Sequence, residues 1–198
     1  DDQYVKTTDF FSIIFEASQP HKKLDKEIIF RLNGVRQGHE GISIKEKMIP
    51  LVRREPELIH GIRNIVHNAL KFAKSTVDIN LITTSRKLNL EIIDDGKGFP
   101  NDVTKMIGEP FIKKSAFYSN REKTKTSEEG MGLGLFIANI LLEKTNGQLK
   151  FSNEKQFESH GKVRITGAKV EISWERASIE VLHWEKKSKV KENPRNVS

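Results

Sequence analysis

The chain of 198 residues contains no cysteine. Disulfides, thiolate catalysis and cysteine-ligated zinc are therefore excluded within it. No run approaches the roughly 20 apolar residues that a membrane span needs, and the N-terminus lacks the charged-then-apolar pattern of a signal peptide. Also missing is any glycine-lysine-serine/threonine triplet, which excludes a P-loop. Gly130-Met131-Gly132 lacks the third glycine of the dinucleotide fingerprint, with no βαβ alternation around it, and the histidine-arginine-aspartate loop of protein kinases is absent. A globular chain in a cytoplasmic setting is expected, with no membrane contact of its own.

The length suits one well-buried core, with room for a small appendage. Starting at Asp1 without a methionine, the chain reads as a piece of something longer. Its formal charge of +7 favours anionic partners such as nucleotides, nucleic acid or an acidic protein surface. Much of that charge sits at the end, in Lys186, Lys187, Lys189, Lys191 and Arg195, interleaved with polar residues. Residues 185–198 are read as a solvated, disordered tail rather than a nucleic-acid arm.

The most informative stretch is Leu90-Glu91-Ile92-Ile93-Asp94-Asp95-Gly96-Lys97-Gly98. An apolar strand runs out into paired carboxylates, and the chain then turns on two glycines one residue apart. Glycine takes backbone angles closed to other residues and lets a ligand lie against the main chain, while an aspartate at a strand end can accept from a buried donor. Asp-Gly is equally a turn signal, so an ordinary turn stays open on these residues alone.

Upstream, Pro56 suits a first helical position. Leu58, Ile59, Ile62, Ile65, Val66, Ala69, Leu70 and Ala73 recur at three- and four-residue spacing, which predicts a helix with one apolar face. Asn64, Asn68 and Lys71 form a second stripe down its side. Asparagine is a mediocre helix former because its side chain competes for the backbone. Two of them a turn apart suit either a solvated face or a hard oxygen ligand for a metal ion, with a lysine one turn away facing an anion.

Around these, residues 1–23 are expected to be a lead-in or short helix, Glu27 to Leu32 a strand, and Thr76 to Thr84 and Leu88 to Ile93 a hairpin. Val103 to Ile107 reads as a short helix closed by Gly108-Glu109-Pro110-Phe111. His39-Glu40, flanked by glycines, reads as an exposed loop. Ile112 to Glu129 is polar and basic, and so long a loop is a functional lid, a disordered segment or both. Gly130-Met131-Gly132-Leu133-Gly134-Leu135 then leads into a helix over Phe136 to Lys144. Glycines before a helix start let backbone N–H groups and the positive end of the dipole face a phosphate; a flexible hinge is the alternative. Strands over Gln148 to Ser152, Lys162 to Trp174 with a break at Gly167, and Ser178 to Trp184 complete the chain.

An asparagine helix, an Asp-x-Gly-x-Gly strand exit, a Gly-Glu-Pro-Phe element, a basic lid and a glycine loop opening a helix, in that order, resemble the ATP-binding domain of sensor histidine kinases. That superfamily is shared with gyrase, Hsp90 and MutL. The N box resembles Asn64 to Phe72, the G1 box Asp94 to Gly98, the F box Gly108 to Phe111 and the G2 box Gly130 to Leu135. Segments Glu16 to His21, Arg54 to Asn64 and Gly167 to Trp174 further resemble the redox-responsive RegB/PrrB subfamily, although its regulatory cysteine and quinone-sensing parts are not in this chain.

The resemblance implies an α+β fold: a two-layer sandwich of the Bergerat (GHKL) type, with a mixed, mostly antiparallel sheet and helices on one face. It implies a catalytic domain over residues 24–184, with a lid at about 108–130 and residues 1–23 leading in from an absent dimerisation domain. By the same resemblance, Asp94 accepts from the adenine amino group, Asn68 ligates Mg²⁺, and Lys71 pairs with phosphate. Gly130, Gly132 and Gly134, with Leu133 and Leu135 beside them, carry the triphosphate. Gly96 and Gly98 shape the adenine end, with Phe72, Ile107 and Phe111 packing near it, and Lys113 or Lys114 reaches the γ-phosphate. Where related ATPases carry a water-activating glutamate, this chain has Asn64, a poor general base, which points to transfer onto another nucleophile. None of His21, His39, His60, His67, His160 or His183 sits in the phosphoacceptor context. The implied partners are the protein's own phosphoacceptor domain and a response regulator, in a cytoplasmic part of an inner-membrane-anchored bacterial sensor, and no nucleic acid.

Overall fold

A computed structural model describes residues 6–19, 25–37, 49–100 and 131–181. The chain order is β1 (Thr7–Asp9), α1 (Phe10–Ser18), β2 (Glu27–Leu32), β3 (Val35–Arg36), β4 (Leu51–Arg53), α2 (Pro56–Phe72), β5 (Thr76–Thr83), β6 (Lys87–Asp94), α3 (Met131–Lys144), β7 (Gln148–Phe157), β8 (Val163–Glu175) and α4 (Arg176–Ile179). Six strands form one sheet in the order β3-β2-β5-β6-β8-β7, and β1 and β4 form a separate antiparallel pair. Among the described strands of the large sheet, only the β2–β5 pairing is parallel.

Strand alternation sorts the sheet into two faces. Val77, Ile79 and Leu81 of β5 lie opposite Asp94, Ile92 and Leu90 of β6, which in turn lie beside Val170 and Ile172 of β8, and all are buried. The helices cover this face. Leu58, Ile62, Ile65, Val66 and Leu70 line the buried side of α2, as its periodicity predicts. Each such side chain contributes about 1.5–3 kcal/mol through burial. The opposite face is a polar lattice in which Arg31 pairs with Asp78 at 2.7 Å and Lys169 with Glu91 at 2.7 Å.

Some local expectations are refined and others change. The segment read as a lead-in or short helix holds the short helix α1, and that helix is part of the packed body: Phe10, Ile13 and Ile14 are fully buried, and the Phe10 ring meets Trp174 edge-on at 5.2 Å. Asp9 caps α1 by accepting from the Ser12 amide at 2.8 Å, and β1 ties the segment to β4. The last expected strand, Ser178 to Trp184, is not one within the described residues. Arg176–Ile179 is helical, held by an Arg176–Glu180 ion pair at 2.6 Å, and Glu180 makes a single bridge to Val52. The expected break at Gly167 is a register shift, with Glu154 opposite Gly167 and Lys155 opposite Ile165. β7 continues past Ser152 to Phe157. The expected helix at 103–107, the Gly108–Phe111 element, the lid, His39-Glu40 and the basic tail lie outside the described residues.

Candidate functional site

β6 carries its alternation to its last residue, so Asp94 points to the helix-covered face and is 5% exposed. Its Oδ1 accepts from the Gly96 amide at 2.8 Å and the Ala168 amide at 3.2 Å. No described residue donates to Oδ2. Burial pushes the carboxyl above its ordinary value, with Asp95 adding to the push, against the two amides and the nearby Lys26 cation. A buried acceptor left unpaired costs about 1–3 kcal/mol, so Asp94 is a place where a ligand donor would be selected.

The adjacent carboxylate has another task. Asp95 accepts from the Lys74 amide at 2.7 Å, the Ser75 amide at 3.0 Å and Ser75 Oγ at 2.6 Å. Burial acts to raise its carboxyl, but the Ser75 hydroxyl and the amides outweigh burial and hold it well below the usual carboxylate range. Asp95 thereby fastens the turn after β6 to the chain leaving α2.

The glycines of the turn are dictated by space and angle. A Cβ on Gly96 would stand 2.3 Å from the Phe72 carbonyl oxygen, so the turn rests on the last residue of α2. Gly98 has φ +80°, and a Cβ there would stand 2.6 Å from Ile165. The Gly96 contact places the Asp94 turn one helical turn beyond Asn68. Asn68 is 8% exposed, and its amide has no hydrogen bond among the described residues. Asn64 is half-buried, Lys71 is exposed with Nζ 5.3 Å from the Phe72 ring centre, and Phe72 is half-buried.

α3 packs beside α2, with the Leu142 side chain over Gly61. Within the described residues the helix runs from Met131, so Gly132 and Gly134 lie inside it rather than in a loop before it. Among the described residues, a Cβ on Gly134 would meet nothing within 4 Å, so their packing does not require glycine there. Leu135 is 5% exposed and belongs to the core. Leu133 is in the first turn of α3, and its side chain, like Ile107, Phe111, Lys113, Lys114 and Gly130, lies outside the described residues.

Three further residues shape the site, a role that the sequence alone did not assign to any of them. A Cβ on Gly167 would fall 1.7 Å from the Asp94 carbonyl oxygen, so glycine is what lets β8 bring the Ala168 amide to Asp94. A glycine inside a strand pattern signals such an approach. Asn153 clamps the backbone after Gly98, accepting from Phe99 N at 2.6 Å and donating to Phe99 O at 3.0 Å. Lys26 Nζ donates to Leu70 O and Ala73 O, both at 2.6 Å. No local pattern betrays the last two.

The model of the family described as histidine kinase-, DNA gyrase B- and HSP90-like ATPase matches residues 53–177. The chain belongs to this ATPase family. Sensor histidine kinase RegB of Cereibacter sphaeroides is 36% identical over 176 residues, which is 88% of this chain and 36% of RegB. The chain thus spans about a third of the length of the curated relatives it matches. The mycobacterial sensor histidine kinase MprB superposes with a TM-score of 0.59 at 17% identity, over 89% of this chain and 99% of that one. The nucleotide-free catalytic domain of histidine kinase ThkA does so at 0.54 and 16% identity, over 86% and 97%. The fold of the ATPase-family domain is therefore the α+β two-layer sandwich expected from the motifs, and the likeness to RegB suggested by segments outside the four boxes is found over most of the chain.

Proposed function

We propose that this member of the ATPase family is the Mg-ATP-binding catalytic domain of a two-component sensor histidine kinase, donating the ATP γ-phosphoryl group to a histidine on a separate dimerisation domain. The observation that carries the reading is the buried Asp94 carboxylate: two backbone amides occupy Oδ1, Oδ2 has no donor among the described residues, and its turn rests on the helix that bears Asn68 and Lys71. Asp94 Oδ2 accepts from the adenine exocyclic amino group and discriminates against guanine, which presents an acceptor at that position. Gly96 and Gly98 keep the backbone close to the ring. Amides of the first turn of α3, and the space that glycine leaves open at position 134, receive the polyphosphate.

Magnesium fits the donor chemistry. The amide oxygen of Asn68 is a hard ligand, sheltered and without a hydrogen bond among the described residues. Bound there with ATP, the ion would neutralise phosphate charge. Lys71, at the exposed end of the same stripe, pairs with phosphate, while Asn64 cannot act as a general base for water. Transfer to the partner histidine, and onward to a response-regulator aspartate, is favoured over hydrolysis. The full protein is then a membrane-anchored sensor with this domain in the cytoplasm; no helix among the described residues is long and apolar enough to cross a membrane.

Calorimetric titration with a non-hydrolysable ATP analogue, with and without Mg²⁺, tests the reading. Binding should strengthen with magnesium, and Asn68→Ala should abolish that gain. A preserved magnesium dependence in the variant would move the metal elsewhere, and no binding by the wild-type chain would sink the proposal. Incubation with labelled ATP should leave the chain itself without phosphohistidine.

A further inference from the structure

α2 ends without the left-handed glycine that closes many helices. Its cap residue, Ala73, is extended at φ −56° and ψ 150°, and its amide returns to Ala69 O. The carbonyls beyond Ala69 therefore need donors from elsewhere. Lys26, just before β2 and outside the 53–177 family match, supplies them: Nζ lies 2.6 Å from Leu70 O, 2.6 Å from Ala73 O and 3.5 Å from Lys71 O. A cation at this end also complements the helix dipole. The neighbouring carbonyl, Phe72 O, is the surface on which Gly96 rests, and Asp95 binds the amides of Lys74 and Ser75 immediately after the helix. The end of the asparagine helix is thus held from two sides, by Lys26 on its carbonyls and by the Asp94-Asp95 turn on the chain that follows.

We infer that Lys26 is a positioning residue for the nucleotide site, fixing the last turn of α2, with Asn68 and Lys71, against the turn that carries Asp94. The inference rests on the ATP-binding reading above. Lys26 touches no ligand in this scheme; it sets the distance between the groups that hold the purine and those that hold the phosphates. Its charge acts on Asp94 as well, where it opposes burial and the Asp95 carboxylate.

The full chain carrying Lys26→Met, Lys26→Gln or Lys26→Arg tests this by ATP-analogue titration well below each variant's melting midpoint, repeated from pH 5 to 8. Lys26→Met should weaken binding about tenfold through loss of the helix-end cation and its hydrogen bonds. Lys26→Gln should fall between Met and wild type, and Lys26→Arg should restore most of the affinity. Without the cation Asp94 protonates more readily, so the acid limb of the affinity profile should move to higher pH in Met and Gln and stay in place in Arg. A residue needed only for stability would lower the melting midpoint while leaving both the affinity of the folded protein and that limb unchanged, and this result overturns the inference. Should Lys26→Met fail to fold, Gln against Arg carries the test, equal affinities counting against it. Failure of the wild-type chain to bind would instead remove the functional reading.

Discussion

Two adjacent carboxylates, Asp94 and Asp95, are driven in opposite directions by their surroundings. Asp94 is raised by burial, so its contribution to stability is fully present below its unfolded value of 3.8 and is lost as pH rises through the folded value. At neutral pH its charge weakens the unliganded fold. Asp94→Asn keeps an acceptor for the Gly96 and Ala168 amides, removes that charge, and replaces Oδ2 by an amide NH2, which on the proposed reading would meet the adenine amino group donor to donor. Thermal unfolding should show the variant at least as stable as wild type at pH 7, with the advantage vanishing below about pH 4, while ATP affinity falls at least about tenfold. A variant that is less stable yet binds ATP normally would contradict both halves. Asp95 has the opposite sign: its lowered value gives stability present above 3.8 and lost as pH falls through the folded value. The difference in melting midpoint between wild type and Asp95→Ala should be constant above about pH 5 and shrink in more acid solution; a difference independent of pH would show that the hydrogen bonds to Lys74 and Ser75 do not depend on ionisation.

At the scale of elements, the start of α3 sets local propensity against the site. Glycine costs about 1 kcal/mol relative to alanine inside a helix, yet Gly134 stands near the described start of α3, where an added methyl group would meet nothing within 4 Å among the described residues. Gly134→Ala should therefore stabilise the unliganded protein by up to about 1 kcal/mol and weaken ATP-analogue binding, since the added methyl occupies space the polyphosphate needs. Stabilisation with unchanged affinity would place the phosphates elsewhere. The same conflict explains why this boundary was not legible in sequence: Gly130, Gly132 and Gly134 read as loop, and the helical pattern is plain only from Phe136. α2 and the β5–β6 hairpin were legible because one-sided burial writes itself directly as periodicity. The Ser178 to Trp184 segment was not, because a short apolar stretch fits either state and the Arg176–Glu180 pair that decides for a helical turn carries no strand-or-helix pattern.

For the whole molecule, the four boxes made the family and its fold readable, whereas the residues that tie the candidate site together across the chain were harder to read. Lys26 and Asn153 act across long stretches of chain, at sequence separations of 44 to Leu70 and 54 to Phe99, and such partnerships leave no spacing to recognise; Gly167 at least shows as a glycine inside a strand pattern. The packing of the N-terminal segment was hidden for the same reason. A short helix could be expected there, but the burial of Phe10 to Ser18 depends on α2 and Trp174, far along the chain. Phe10, Ile13 and Ile14 each contribute about 1.5–3 kcal/mol through burial, a sum comparable with the total stability of about 5–15 kcal/mol typical of a domain. A chain beginning at residue 24 would expose the surfaces of α2 and β8 that these side chains cover. Denaturant unfolding followed by tryptophan emission should show that truncation removes most of the cooperative transition and shifts the folded-state emission to the red, since Trp174 loses the Phe10 ring packed against it. A truncated chain with the midpoint and emission of the parent would mean that the segment is dispensable and that the domain begins where the sequence first suggested.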